Sequence, residues 1–138
     1  MANFNGTARS NYFRVKDEAA FRTWCAALGL AIFEGEGKQL GMFGFYSDDS
    51  DTGTFPSFRP SRHGEDDDEE IDLGEELAPH LADGEIAVLM EAGAEKLRYI
   101  SGWAQAIHSD GRMVAISLHD IYSLAEATFG TKPTEASY

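Results

Sequence analysis

Apolar residues recur along this chain with two different periods. In residues 17–29, DEAAFRTWCAALG, Phe21, Trp24, Cys25 and Leu28 fall at i, i+3, i+4 and i+7, the spacing of one helix face. Asp17 is a good N-cap, Glu18 suits the positive end of the helix dipole, and Gly29 is a stop signal. Elsewhere the period shortens to two. NYFRVK (11–16) reads as a first strand, and LAIFEGEGKQLGMFGFYS (30–47) as a hairpin turning near Gly35 to Gly37. Gly41 and Gly44 mark bulges or a close backbone approach in its second strand.

Farther on, EIAVLMEAG (85–93) is a nearly continuous apolar run, which predicts a central strand buried on both faces. KLRYISGWAQAI (96–107), HSDG (108–111) and RMVAISL (112–118) predict a hairpin with Val114, Ile116 and Leu118 on one face. Two further helices are expected. IDLGEELAPHLAD (71–83) spaces Leu73, Leu77 and Leu81 four apart, with Pro79 as a break or kink. SLHDIYSLAEATFG (117–130) carries Ile121, Leu124, Ala125 and Thr128 as a stripe, with Ser117 and Asp120 as a variant capping box and Gly130 as the end.

The resulting order is β-α-β-β-loop-α-β-β-β-α. It predicts an α+β fold with a mainly antiparallel sheet of five to six strands and two or three helices packed on one side. Residues 1–10 are small and polar and read as a flexible N-terminus, 11–130 as a single domain, and 131–138 as a tail. From 47 to 70 neither period holds. A structureless loop of that length is uncommon in a domain of this size and is usually functional or disordered.

Charge makes that loop the centre of interest. The chain has 138 residues and a net charge of −13, from 24 acids against 11 bases. Twelve of those acids lie between Asp48 and Glu76, accompanied by only Arg59 and Arg62. Glu65 to Glu70 are six consecutive carboxylates, followed by Asp72, Glu75 and Glu76. Such a balance opposes direct binding to nucleic acid, whose phosphates it repels, and favours a basic partner. An extended peptide advances about 3.3 Å per residue. A nucleic-acid strand carries one charge about every 3.4 Å. An extended acidic run therefore matches the linear charge density of a phosphate backbone. Asp66, Asp67, Asp68, Glu69 and Glu70 are the core candidates for phosphate mimicry, with Asp72, Glu75 and Glu76 extending the track. Asp48, Asp49 and Asp51 form a second acidic arm, and Phe55 and Phe58 are candidate hydrophobic anchors beside the charges. The same two rings could instead pin the loop to the core. The competing explanation for the whole run is a solvated loop of mutually repelling charges.

Catalytic chemistry finds little footing. There is no nucleophile elbow, P-loop or dinucleotide fingerprint. DDSDTG (48–53) lacks the ligands of a calcium loop, since Ser50, Thr52 and Arg59 occupy coordinating positions. His63, His80, His108 and His119 are far apart, without metal-ligand spacing. Cys25 sits on an apolar helix face as a core residue, and a single cysteine excludes an internal disulfide. Trp24, Trp103, Tyr99 and Tyr122 read as core aromatics rather than a base-stacking platform. A non-enzymatic protein without cofactor or metal is expected. With no signal-peptide pattern and no apolar segment of membrane-spanning length, it is expected in the cytoplasm and off the membrane.

NYFRVKDEAAF, the acidic loop, and IDLGEELAPHLADGEIAVLMEAGAEKLRYISGWAQAI together resemble small acidic proteins of phages, plasmids and other mobile elements, over residues 11–128. The resemblance implies a mobile-element context, in which proteins similar to anti-CRISPR and antirestriction inhibitors block a host nuclease complex by occupying its nucleic-acid channel. It carries no residue roles. The expected function is inhibition of a host defence nuclease complex through a basic nucleic-acid-binding surface. Two alternatives stand beside it. One is an immunity protein or antitoxin that neutralises a basic toxin. The other is an accessory interaction module, in which an edge strand at 39–47 pairs two copies into a homodimer.

Overall fold

Asp17 starts the first helix as expected. Its Oδ1 accepts a hydrogen bond from the Ala20 amide at 3.1 Å, and α1 runs over Glu18–Ala27. Gly29, with φ of +70°, takes the left-handed turn that ends it. The buried face of α1 carries Phe21 and Cys25. The computed structural model describes residues 4–48, 52–59, 69–96 and 98–136. Within them the strands are β1 (Phe4–Ser10), β2 (Leu30–Glu34), β3 (Phe43–Ser47), β4 (Phe58–Arg59), β5 (Glu69–Glu70), β6 (Ile86–Glu95), β7 (Tyr99–His108) and β8 (Met113–Ser117). The remaining helices are α2 (Leu73–Leu77) and α3 (Asp120–Phe129), with a 3-10 turn at Ala78–His80 that accommodates Pro79.

Six strands form one antiparallel sheet in the order β2-β3-β1-β6-β7-β8, and β4 and β5 pair separately. The expected α+β class and the two hairpins are therefore present. The N-terminus differs from expectation. Phe4–Ser10 is an interior strand, paired with β6 over its whole length and with β3 at Arg9. Conversely, residues 11–16 hold only the isolated bridges Phe13 to Phe43 and Val15 to Leu81. Side chains of Ser10 and Asn11 splice this change of partners. Ser10 Oγ accepts from the Phe45 amide at 2.9 Å, while Asn11 bridges Val88 N–H and Ile86 C=O on β6. The 39–47 stretch is likewise not at an edge, because β3 lies between β2 and β1.

Cross-strand partners share a face of a sheet, so the register sorts the residues into two sets. One face carries Ala8, Ser10, Leu30, Phe43, Phe45, Ala87, Leu89 and Ile107, all buried. Phe13, Phe21 and Phe45 meet beneath α1 at ring-centroid distances of 5.7 to 6.3 Å. Burying each ring contributes roughly 1.5–3 kcal/mol, and each edge-on pair about 0.5–1.5 kcal/mol more. Leu73, Leu77 and Leu81 extend this core from α2 and the segment after it. The opposite face is open. There Met90, Val114 and Ile116 are exposed, so β6 is buried on one face rather than two. Gly44 belongs to a close approach, since a Cβ there would lie 2.2 Å from the Phe33 ring.

Helix α3 ends at Gly130, with φ of +76°. Its start is half a capping box: Asp120 Oδ2 accepts from the Ser117 amide at 2.6 Å, two residues ahead of the helical N-cap His119. No residue of α3 is buried. The segment after it folds back, with the Ala136 amide donating to Tyr122 Oη at 2.7 Å.

Candidate functional site

The acidic stretch enters and leaves through a two-residue ladder. Phe58 pairs with Glu70 and Arg59 with Glu69, and the Ile71 amide donates to the Ser57 carbonyl at 2.9 Å. This ladder sets Arg59 and Glu69, the described residues that flank 60–68, side by side. Asp66, Asp67 and Asp68, like Asp49 and Asp51 of the second arm, lie outside the described residues. Asp48 is exposed just beyond β3.

Arg59 works inside this frame as a counter-ion. Its guanidinium pairs with the Glu76 carboxylate and stands 3.6 Å from Glu69 Oε2. Glu76 also accepts from the Trp24 indole N–H at 3.1 Å. Glu76 is thus a half-buried tie between α2, α1 and β4 rather than part of an exposed track. Asp72 is the N-cap of α2 and accepts from the Glu75 amide at 3.1 Å, yet it remains exposed. Glu69, Glu70 and Glu75 are exposed as well. Four of the expected carboxylates, Glu69, Glu70, Asp72 and Glu75, therefore face solvent on one ordered corner.

The two phenylalanines separate. Phe58 is 55% exposed beside Glu70, as an anchor for a partner requires. Phe55 is 7% exposed and turns inward against Phe45 and Trp103, at centroid distances of 5.7 and 6.1 Å. Phe55 is a core residue and corrects the expectation of two exposed anchors. Glu91 on β6 fixes this loop from below. It accepts from the Phe55 amide at 2.7 Å and from the Trp103 indole N–H at 2.8 Å. Between loop and sheet lies an open groove of about 710 Å³, lined by Glu70, Asp72 and Glu75 on one side and by Glu91, Trp103 and Gln105 on the other.

Sequence reasoning missed Glu91, which sits in the apolar run and carried no local signal, and Arg59. For Arg59 a signal existed: a cation within a run of acids is positioned to pair with one of them. Two groups behave as buried side chains. Burial pushes the Cys25 thiol up to about 12, with Arg22 pulling the other way. Burial also holds His80 below its ordinary value, opposed by Asp17 and Glu76; its ring packs 5.2 Å from Trp24. Among the described residues, no group of three or more His, Cys, Asp or Glu is arranged to hold a metal ion. Nor is any helix there long and apolar enough to cross a membrane. No family model, curated protein or solved structure matches the chain.

Proposed function

We propose that the chain is a non-enzymatic inhibitor that binds a basic nucleic-acid-binding surface of a host defence complex by imitating a polyanion. One observation carries this reading. The β4–β5 ladder and the Asp72 cap fix an ordered corner on which Glu69, Glu70, Asp72 and Glu75 are exposed beside the exposed ring of Phe58. Charges held in place lose less side-chain entropy on binding than charges on a free tail. An apolar ring adjoining them supplies affinity that exposed ion pairs, at about 0–1 kcal/mol each, do not. The net charge of −13 adds long-range attraction to a basic surface.

The test is affinity capture from a lysate of the host with two baits. One is the wild type; the other carries Asp66, Asp67 and Asp68 changed to Asn and Glu69 and Glu70 changed to Gln. A basic nucleic-acid-binding protein retained by the first and lost by the second, with unchanged far-UV circular dichroism, supports the proposal. Equal retention by both baits, or no basic protein on either, contradicts it.

A further inference from the structure

Independently of the acidic corner, the open face of the sheet and the helix that follows it belong together. Across the sheet, Arg9, Met90, Ala104 and Ile116 are successive cross-strand partners, as are Val88, Ala106 and Val114. Thr7, Ala92 and Gly102 form a third row, which Leu118 joins through its amide on the Gly102 carbonyl at 2.9 Å. On β6, β7 and β8 these rows carry no charge. Their middle is a trough of small residues, Ala92, Gly102 and Ala104, between the larger Met90, Ile116 and Leu118, with a groove of about 350 Å³. A trough of that shape is what a helix packs into.

The chain owns such a helix and does not use it. Helix α3 carries Ile121, Leu124 and Phe129 at exposures of 57, 61 and 78%. They lie on one stripe with Ala125 and Thr128. It leaves β8 after a short turn and covers neither the sheet nor the core. In addition β8 is an edge strand, uncharged and without proline, which lacks the usual protection of edges.

We propose that this surface is the interface with a second copy of the chain, in which α3 of each copy covers the open face of the other. Three observations select a second copy over another occupant. The trough and its matching helix are both supplied by this sequence, so a twofold pairing satisfies both surfaces at once. The exposed parts of Met90, Ile100, Val114, Ile116, Leu118, Ile121, Leu124 and Phe129 are on the order of 100 Å² each, which sums to roughly the 800 Å² per partner of a standard interface. Finally, α2 lies on the opposite, core-forming face, where Gly74 packs against Gln105 and Ile107. Two copies of a chain with net charge −13 can therefore meet on uncharged rows while that acidic helix faces away.

Sedimentation equilibrium tests this on the full chain, with Leu124→Asp and Ile116→Lys as variants. Both side chains are exposed in the single chain, and α3 supplies none of the core. Far-UV circular dichroism verifies folding, and Leu124→Asp decides alone if Ile116→Lys does not fold. The expected result is a wild type at twice 15.1 kDa and folded variants at 15.1 kDa under the same conditions. A wild type that stays monomeric up to about 100 μM overturns the proposal, and so does a dimer that Leu124→Asp leaves intact.

Discussion

Ser10→Ala removes one oxygen from the point where the chain changes partners, and its cost can be worked out. Ser10 is 2% exposed, and its Oγ is the acceptor for the Phe45 amide at 2.9 Å while donating to the Asn11 carbonyl at 2.8 Å. Phe45 is fully buried, so water cannot replace the lost acceptor. A buried N–H left unpaired costs about 1–3 kcal/mol. With an unfolding entropy of about 2.1 cal/mol/K per residue, a chain of this length loses roughly 3–10 °C in Tm. Differential scanning calorimetry reads the shift, and hydrogen exchange at the Phe45 amide reports the local opening. An unchanged Tm with Phe45 protected as before would refute the role of Ser10 as the splice between β1 and β3.

Other expectations follow from single contacts. Glu76→Ala strips the Trp24 indole and Arg59 of their shared acceptor. The expected cost is about 1–3 kcal/mol in urea unfolding, with a changed tryptophan emission; unchanged stability would mean the tie contributes nothing. Cys25, whose thiol burial pushes up to about 12, is protonated at pH 8. It should resist iodoacetamide in the native protein and react on unfolding; fast native labelling would show an open core. His80 is held below its ordinary value by burial, so the unfolded chain takes up the proton first. Stability should therefore fall as pH drops through about 6.5 towards the lower folded value. His80→Phe should flatten that part of the profile, and a curve identical to wild type would exclude His80 as its source.

How much of this was legible in the sequence depends on where each element gets its stability. Helix α1 is written locally, in Asp17, the Phe21-to-Leu28 stripe and Gly29, and it forms where the pattern places it. The β7–β8 hairpin is written in its turn and its alternation. Strand β1 is not. Its sequence, FNGTARS, has little strand propensity, with the strand-poor Asn5 and Gly6 in its first half, and its conformation is imposed by β6 and β3 on either side. Gly6 is required there for proximity, since a Cβ would lie 2.7 Å from the Thr52 carbonyl oxygen. The apolar run of β6 predicts burial on both faces, whereas one face of it is open on the single chain. At the acidic corner, composition marks the run of carboxylates but does not separate Phe58 from Phe55 or exposed Glu75 from tethered Glu76. Those distinctions depend on Phe45, Trp103, Arg59 and Trp24, which are brought in from elsewhere in the chain.

The most direct measurement on function is competition between the captured basic protein's own nucleic acid and this chain, followed as a function of salt. Polyanion mimicry predicts that duplex DNA or RNA displaces the chain completely and that log affinity falls linearly with log salt, as it does for a phosphate backbone. A ternary complex that holds both the nucleic acid and this chain, with affinity indifferent to salt, would contradict it.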